Sequence, residues 1–198
     1  MIGVCRGAHR LLGVPSVRRQ FASLGLPSRL RIRDVSPRDG LQTEKKLVPV
    51  EIKRGLVERL WEAGLEEVEV AAFVSPQWVP QMETSIELVR TLTNEAPLPL
   101  NKMCSCLVPN LKGLHMALEL GVRDVALVVA STDAFSRANL NTSLEDGLTR
   151  VEEMADYAHR HGMYIKGYVS GVFSCPIDKT TVPVSRITSI AQRLDRCV

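Results

Sequence analysis

The sequence predicts an α/β protein: a parallel sheet with helices packed outside it. Two observations carry this. From Arg29 onward, short apolar strands alternate with helical segments five times, with no break in composition. The fourth strand, residues 124–130, is almost uniformly apolar, as a strand covered on both faces should be. Two architectures fit that pattern, a doubly wound open sheet or the opening five-eighths of a (β/α)8 barrel. A barrel takes about 250 residues, and the chain has 198.

Each element has a local reason. Residues 29–35 read as the first strand. Residues 49–63 read as a helix stopped by Gly64, since glycine takes the left-handed cap conformation without strain. The second strand is 66–72. It leads through Phe73-Val-Ser-Pro76 into a helix near 84–92. The third strand lies within 98–107, and 111–120 is a helix with Gly121 as its stop. After the apolar fourth strand, Ser143 caps a helix to residue 161, with Asp146 in the acidic position of a loose capping box. A fifth strand spans 163–170 and a fifth helix 184–194.

Composition narrows the class. Hydrophobic residues make up 45% and charged residues 24%, enough apolar material for a real core. No run of about 18 consecutive apolar residues offers a transmembrane segment. The net charge of +3 hides an asymmetry. Seven of the 25 basic residues (Arg6, Arg10, Arg18, Arg19, Arg29, Arg31, Arg33) and no acid fall in residues 1–33, leaving 18 basic against 22 acidic groups beyond. That mildly acidic body lacks the basic stripe a nucleic-acid partner needs. If residues 3–14 are helical, Val4, Ala8, Leu11 and Leu12 share one face, with Arg6 and Arg10 opposite. Pro15 ends that helix, and Arg19-Gln20-Phe21 before Ala22-Ser23 suits a processing protease. Residues 1–27 therefore read as a mitochondrial presequence and 28–198 as the folded domain. Five scattered cysteines, an odd number, form no disulfide framework. Cys104 and Cys106, two apart in a strand, share one face and read as packing.

In either architecture the chemistry sits at the carboxyl ends of the strands. No Gly-x-Gly-x-x-Gly follows the first strand and no Walker-type loop occurs, so dinucleotide and nucleoside-triphosphate sites lose their main support. The first strand is followed by Ser36-Pro-Arg38-Asp39-Gly40-Leu-Gln42, which also has the makings of a plain turn. In the second strand, alternation places Glu67, Glu69 and Ala71 on one face and Val68, Val70 and Ala72 on the other. The valine face suits the surface under the helices, so Glu69 points inward. A carboxylate there is costly unless paired or bound to a metal. Arg38 and Asp39 emerge beside it. One acid for a hard divalent ion, one arginine for a carbonyl oxygen turning negative, and one acid to orient them make a site for enolate chemistry. His159-Arg160-His161 mimics a ligand pair, but residues two apart on a helix diverge, and cations at a helix C-terminus are ordinary. Cys175-Pro176 and His115 carry no assignable chemistry.

Four segments, Ser36–Lys45, Phe73–Met82, Pro109–Gly113 and Gly167–Ser170, resemble the 3-hydroxy-3-methylglutaryl-CoA lyase family, and the resemblance runs from about Arg29 to the end. It implies a (β/α)8 TIM barrel of which about the first five β-α units are present. It also implies Mg²⁺ or Mn²⁺ as cofactor, an acyl-CoA thioester as substrate, and cleavage of hydroxymethylglutaryl-CoA to acetyl-CoA and acetoacetate. That reaction serves ketone-body formation and leucine breakdown in the mitochondrial matrix. Position by position, the resemblance implies Arg38 and Glu69 as catalytic residues, Arg38 binding substrate and stabilising the enolate oxygen with Glu69 beside it, Asp39 as a metal ligand, and Gln42 as a substrate contact in the same loop. A base takes the tertiary hydroxyl proton, the carbon–carbon bond breaks, and an acid protonates the enolate. The family's His-x-His and asparagine ligands and its Gly-Gly-Cys-Pro catalytic loop have no counterpart here. The resemblance thus implies a C-terminally truncated chain, inactive alone or serving as a non-catalytic partner. Open parallel edges on such a piece invite association, with a homo-oligomer as one form. Ser36, Thr43 and Val108 depart from the family's usual Gly, Asn and Thr.

Overall fold

The computed structural model describes residues 30–93, 98 and 101–197. The presequence reading of residues 1–27 lies outside them. Five parallel strands, β1 (Arg33–Asp34), β2 (Glu67–Ala72), β3 (Met103–Leu107), β4 (Asp124–Ala130) and β5 (Tyr164–Ser170), lie side by side in chain order. Between and after them come helices α1 (Val50–Glu62), α2 (Ser85–Thr93), α3 (Leu111–Glu119), α4 (Asp133–Leu140), α5 (Leu144–Arg160) and α6 (Val184–Asp195). A doubly wound sheet would reverse its strand order at a switch point. This one never does. The architecture is a parallel half-barrel of the (β/α)8 TIM-barrel type, with β1 and β5 as edges among the described residues.

The core lies on the outer side of the sheet, because that is where the strand valines and the helix stripes meet. Val68, Val70, Cys106, Val125 and Val129 pack with Leu88, Leu114, Met154 and Ala155, all nearly or fully buried. Cys104 and Cys106 share this face as alternation requires, and burial pushes the Cys104 thiol up to about 12. The helices end where left-handed residues stop them: Gly64 has φ +97° and Gly121 φ +78°. Ser143 Oγ accepts from Asp146 N and donates to Asp146 Oδ2, closing the capping box on α5.

Three expectations change. The first strand shrinks from 29–35 to Arg33–Asp34, the two residues with partners on β2. A sixth helix, α4, fills what reads as a loop after β4; Thr132 Oγ1 accepts from Phe135 N to start it, and Asn141 in the left-handed region ends it. In β2 the pairing to β3 slips between Glu69 and Ala71, a bulge that absorbs Val70. Strict alternation therefore fails at the strand's end. Ala71 joins the outer core, and Ala72 lines the inner face.

The inner face is polar. Arg33 bonds Glu67 at 3.3 Å and reaches across to Asp124 at 2.7 Å, with Lys166 Nζ 3.8 Å from Glu67. Burial holds the Asp124 carboxyl above its ordinary range, opposed by Arg33. No described helix is long and apolar enough to cross a membrane.

Candidate functional site at the strand carboxyl ends

The site begins with the tight turn after β1. Asp34 accepts from both the backbone N–H (2.8 Å) and the hydroxyl of Ser36. This ties off the strand and starts a single π-type turn, Ser36–Gly40. Pro37 suits its first positions, having no N–H to satisfy. Val35 O then accepts from Arg38 N, Asp39 N and Gly40 N at 3.2, 2.7 and 3.4 Å. π-turns of this kind are frequent at functional sites.

That turn sends the Arg38 side chain over the end of β2. Its Nε and Nη2 lie 2.7 and 2.5 Å from Glu69 Oε1, and its Nη1 donates to Asp39 Oδ1 at 2.6 Å. Glu69 is fully buried. Its second oxygen accepts from the Tyr168 hydroxyl at 2.8 Å, reaching in from β5. Burial and the adjacent Glu69 charge push the Tyr168 phenol up to about 12. The result is a chain, Tyr168–Glu69–Arg38–Asp39, running from buried to exposed; the Asp39 side chain is 61% exposed.

The chain defines what each group can do. Both oxygens of Glu69 are hydrogen-bonded, so it holds Arg38 in a fixed orientation. A guanidinium has five N–H donors, so the three bonds of Arg38 leave two for another oxygen. Arg38, Asp39 and Gln42 line one open trough together with Phe73, Trp78 and Tyr168. The trough encloses about 1510 Å³, above the ~300–1,000 Å³ of a closed ligand pocket, since it is open along the half-barrel.

The structure thus brings Arg38, Asp39 and Glu69 together and sets Gln42, exposed, on the same trough. Tyr168 and the Arg33–Glu67–Asp124–Lys166 cluster escape a reading of the sequence alone. Glu67 alternates with Glu69 and so shares its face, but its partners Arg33 and Lys166 come from β1 and β5. His161 Nδ1 lies 2.8 Å from Tyr157 O, and Tyr157 stacks between His115 and His161, which leaves no shared ligand geometry.

A divalent ion is a weaker fit. Among the described residues no group of three or more His, Cys, Asp or Glu side chains converges to hold a metal. At the trough, Asp39 is the carboxylate with an open side, while Glu69 is fully buried with both oxygens hydrogen-bonded. One donor does not fill an octahedral shell, so these residues alone do not make a metal centre.

A parallel half-barrel that collects an arginine, a buried acid and a phenol at its strand carboxyl ends has the layout from which (β/α)8 barrels build their sites. The chain belongs to the HMGL-like family, which matches residues 29–197. It is 39% identical over 173 residues to the 3-hydroxy-3-isohexenylglutaryl-CoA/hydroxy-methylglutaryl-CoA lyase of Pseudomonas aeruginosa, covering 87% of this chain and 56% of that one. Identity to the mitochondrial hydroxymethylglutaryl-CoA lyase of Bos taurus is 35% over 188 residues, covering 94% and 56%. Identity to the cytoplasmic 3-hydroxy-3-methylglutaryl-CoA lyase of Mus musculus is 36% over 170 residues, covering 86% and 48%. Similar proteins therefore include mitochondrial, cytoplasmic and bacterial forms.

Among solved structures, the hydroxymethylglutaryl-CoA lyase from Pseudomonas aeruginosa has a TM-score of 0.78 at 40% identity, over 87% of this chain and 56% of that one. An HMG-CoA lyase from Acinetobacter baumannii, in complex with coenzyme A and 3-methylmalate, has a TM-score of 0.77 at 26% identity, over 85% and 53%. The chain spans about half the length of the relatives it matches.

Proposed function

We propose that the trough is the thioester-facing part of a carbon–carbon lyase site that cleaves 3-hydroxy-3-methylglutaryl-CoA to acetyl-CoA and acetoacetate, in ketone-body formation and leucine breakdown. The observation that carries this is the Arg38 fork on buried Glu69. It fixes a cation with two spare N–H donors where a thioester carbonyl can lie. As the carbon–carbon bond breaks, the electron pair moves onto the thioester and its oxygen becomes negative. Arg38 stabilises that oxygen, as fixed donors do best in a site that excludes water. Glu69 and Tyr168 hold Arg38 in place, and Gln42 contacts substrate at the rim. The resemblance to lyases whose structures include a coenzyme A complex supports the choice of substrate.

Mg²⁺ or Mn²⁺ is the proposed cofactor, with Asp39 as one of its ligands. Such an ion would polarise the substrate oxygens. Because the described residues lining the trough supply one open carboxylate, the chain by itself is proposed to bind the thioester without turning it over. That same observation favours a second reading, a non-catalytic half-barrel that pairs with an intact lyase. The mitochondrial matrix is the proposed compartment, resting on the basic residues 1–27.

The test is acetoacetate production from hydroxymethylglutaryl-CoA with added Mg²⁺ or Mn²⁺, by the chain alone and mixed with an intact family lyase. No product from the chain alone is expected. Metal-dependent product from it would contradict the inactive reading and establish the lyase directly. A changed rate in the mixture would favour the partner reading.

A further inference from the structure

Residues 44–48, Glu-Lys-Lys-Leu-Val, join the Arg38 turn to α1 without forming helix or strand, and Lys45, Lys46 and Leu47 are exposed. A stretch with so little apolar anchoring should open readily. Yet one side chain holds three of its backbone groups. Gln81 Nε2 donates to Glu44 O at 2.9 Å and Lys46 O at 2.6 Å, and Gln81 Oε1 accepts from Val48 N at 3.2 Å. Every hydrogen of this amide is used, and Gln81 is 2% exposed.

Gln81 is itself braced. It lies in the short 3-10 turn Pro80–Met82 of the loop that also carries Trp78. Lys53, buried in the first turns of α1, donates its ammonium to Gln81 O and to Thr84 Oγ1, the latter at 3.0 Å. Burying an ammonium is unfavourable unless it is hydrogen-bonded, and burial holds the Lys53 pKa below its ordinary value. The clamped stretch continues directly from the site. Gln42 N donates to Asp39 O and Glu44 N to Leu41 O, so the run from Asp39 to the held Glu44 carbonyl is wound in successive turns.

We propose that Gln81, braced by Lys53, is a positioning residue that clamps the 44–48 loop to the Trp78 loop and thereby sets Gln42 at the rim of the trough. The clamp stands on its own geometry; what the rim serves rests on the acyl-CoA reading above. Gln81→Leu keeps the volume and removes all three loop bonds. Lys53→Met removes only the brace.

The experiment pairs limited trypsin cleavage after Lys45 and Lys46 with calorimetric titration of hydroxymethylglutaryl-CoA, on the full chain. Gln81→Leu is expected to speed cleavage at those two sites about tenfold, the equivalent of roughly one net hydrogen bond in loop opening. It is also expected to weaken the thioester affinity about tenfold, as mispositioned binding groups do. Lys53→Met should move both in the same direction by less, and it supplies the same readouts if Gln81→Leu does not fold. Unchanged cleavage at Lys45 and Lys46, with only a lower melting temperature, would overturn the clamp. Faster cleavage with unchanged affinity would overturn its positioning role. If the wild-type chain takes up no hydroxymethylglutaryl-CoA, the acyl-CoA reading fails, while faster cleavage in the variant still supports the clamp.

Discussion

Glu69 is the residue on which the site turns. A fully buried carboxylate persists because Arg38 and Tyr168 satisfy both its oxygens. Glu69→Leu leaves a buried guanidinium and a phenol hydroxyl without their acceptor, and should lower the unfolding free energy by about 3–5 kcal/mol in urea titration. Glu69→Gln keeps the shape and part of the bonding, and should lose only about 1–3 kcal/mol. Tyr168 offers a spectroscopic check. Its folded pKa of about 12 lies above the ordinary 10. Its contribution to stability is therefore complete below pH 10 and is lost as the pH rises towards 12. Absorbance at the phenolate band should show an ionisation near pH 12, and Tyr168→Phe should abolish it. Arg38, Asp39 and Glu69 were legible in the sequence because each carries a local mark: a turn after a strand, or an acid at an inward position of an apolar strand. Tyr168 lies in the Gly167–Ser170 segment, but nothing local marks its pairing, since tyrosine is an ordinary strand residue and only the fold brings it to Glu69. Arg33 is hidden in the same way. Its partners Glu67 and Asp124 lie 34 and 91 residues away.

At the scale of elements, hydrophobic period and end signals account for most of the fold. The β4 limits follow from a continuous apolar run, and α1, α3 and α5 stop at glycines. The Ser143 capping box is a local interaction with a local consequence: Ser143→Ala should lower stability by about 1 kcal/mol in thermal or urea unfolding, without altering the trough. What was not legible has physical causes. The bulge at Val70 depends on the register against β3, which no single strand's pattern encodes. Helix α4 is eight residues long and half polar, too short for its period to stand out, although Thr132 and Asn141 are its caps. The clamp on residues 44–48 is a tertiary feature as well. Gln81 looks like a loop residue until the fold brings it under Glu44 and Lys46.

For the whole molecule, the decisive fact is a sheet whose strands never reverse order, which makes the fold a half-barrel with its chemistry gathered on one rim. The outer side is sealed by helices and the inner side is charged. Arg33, Glu67, Asp124 and Lys166 form a polar floor, with the Arg38–Glu69–Tyr168 chain at its carboxyl end. In the proposed function this chain of groups, through Arg38, holds an acyl-CoA thioester. Arg38→Lys keeps the buried positive charge near Glu69 but loses the planar fork and its spare donors, so it tests the claim with the fold preserved. The measurement is calorimetric titration of hydroxymethylglutaryl-CoA into the wild-type chain and into Arg38→Lys at matched pH and salt. Saturable binding to the wild type is expected, weakened by at least about tenfold in the variant through the loss of one charge-assisted bond. Equal affinity of the two proteins would contradict it.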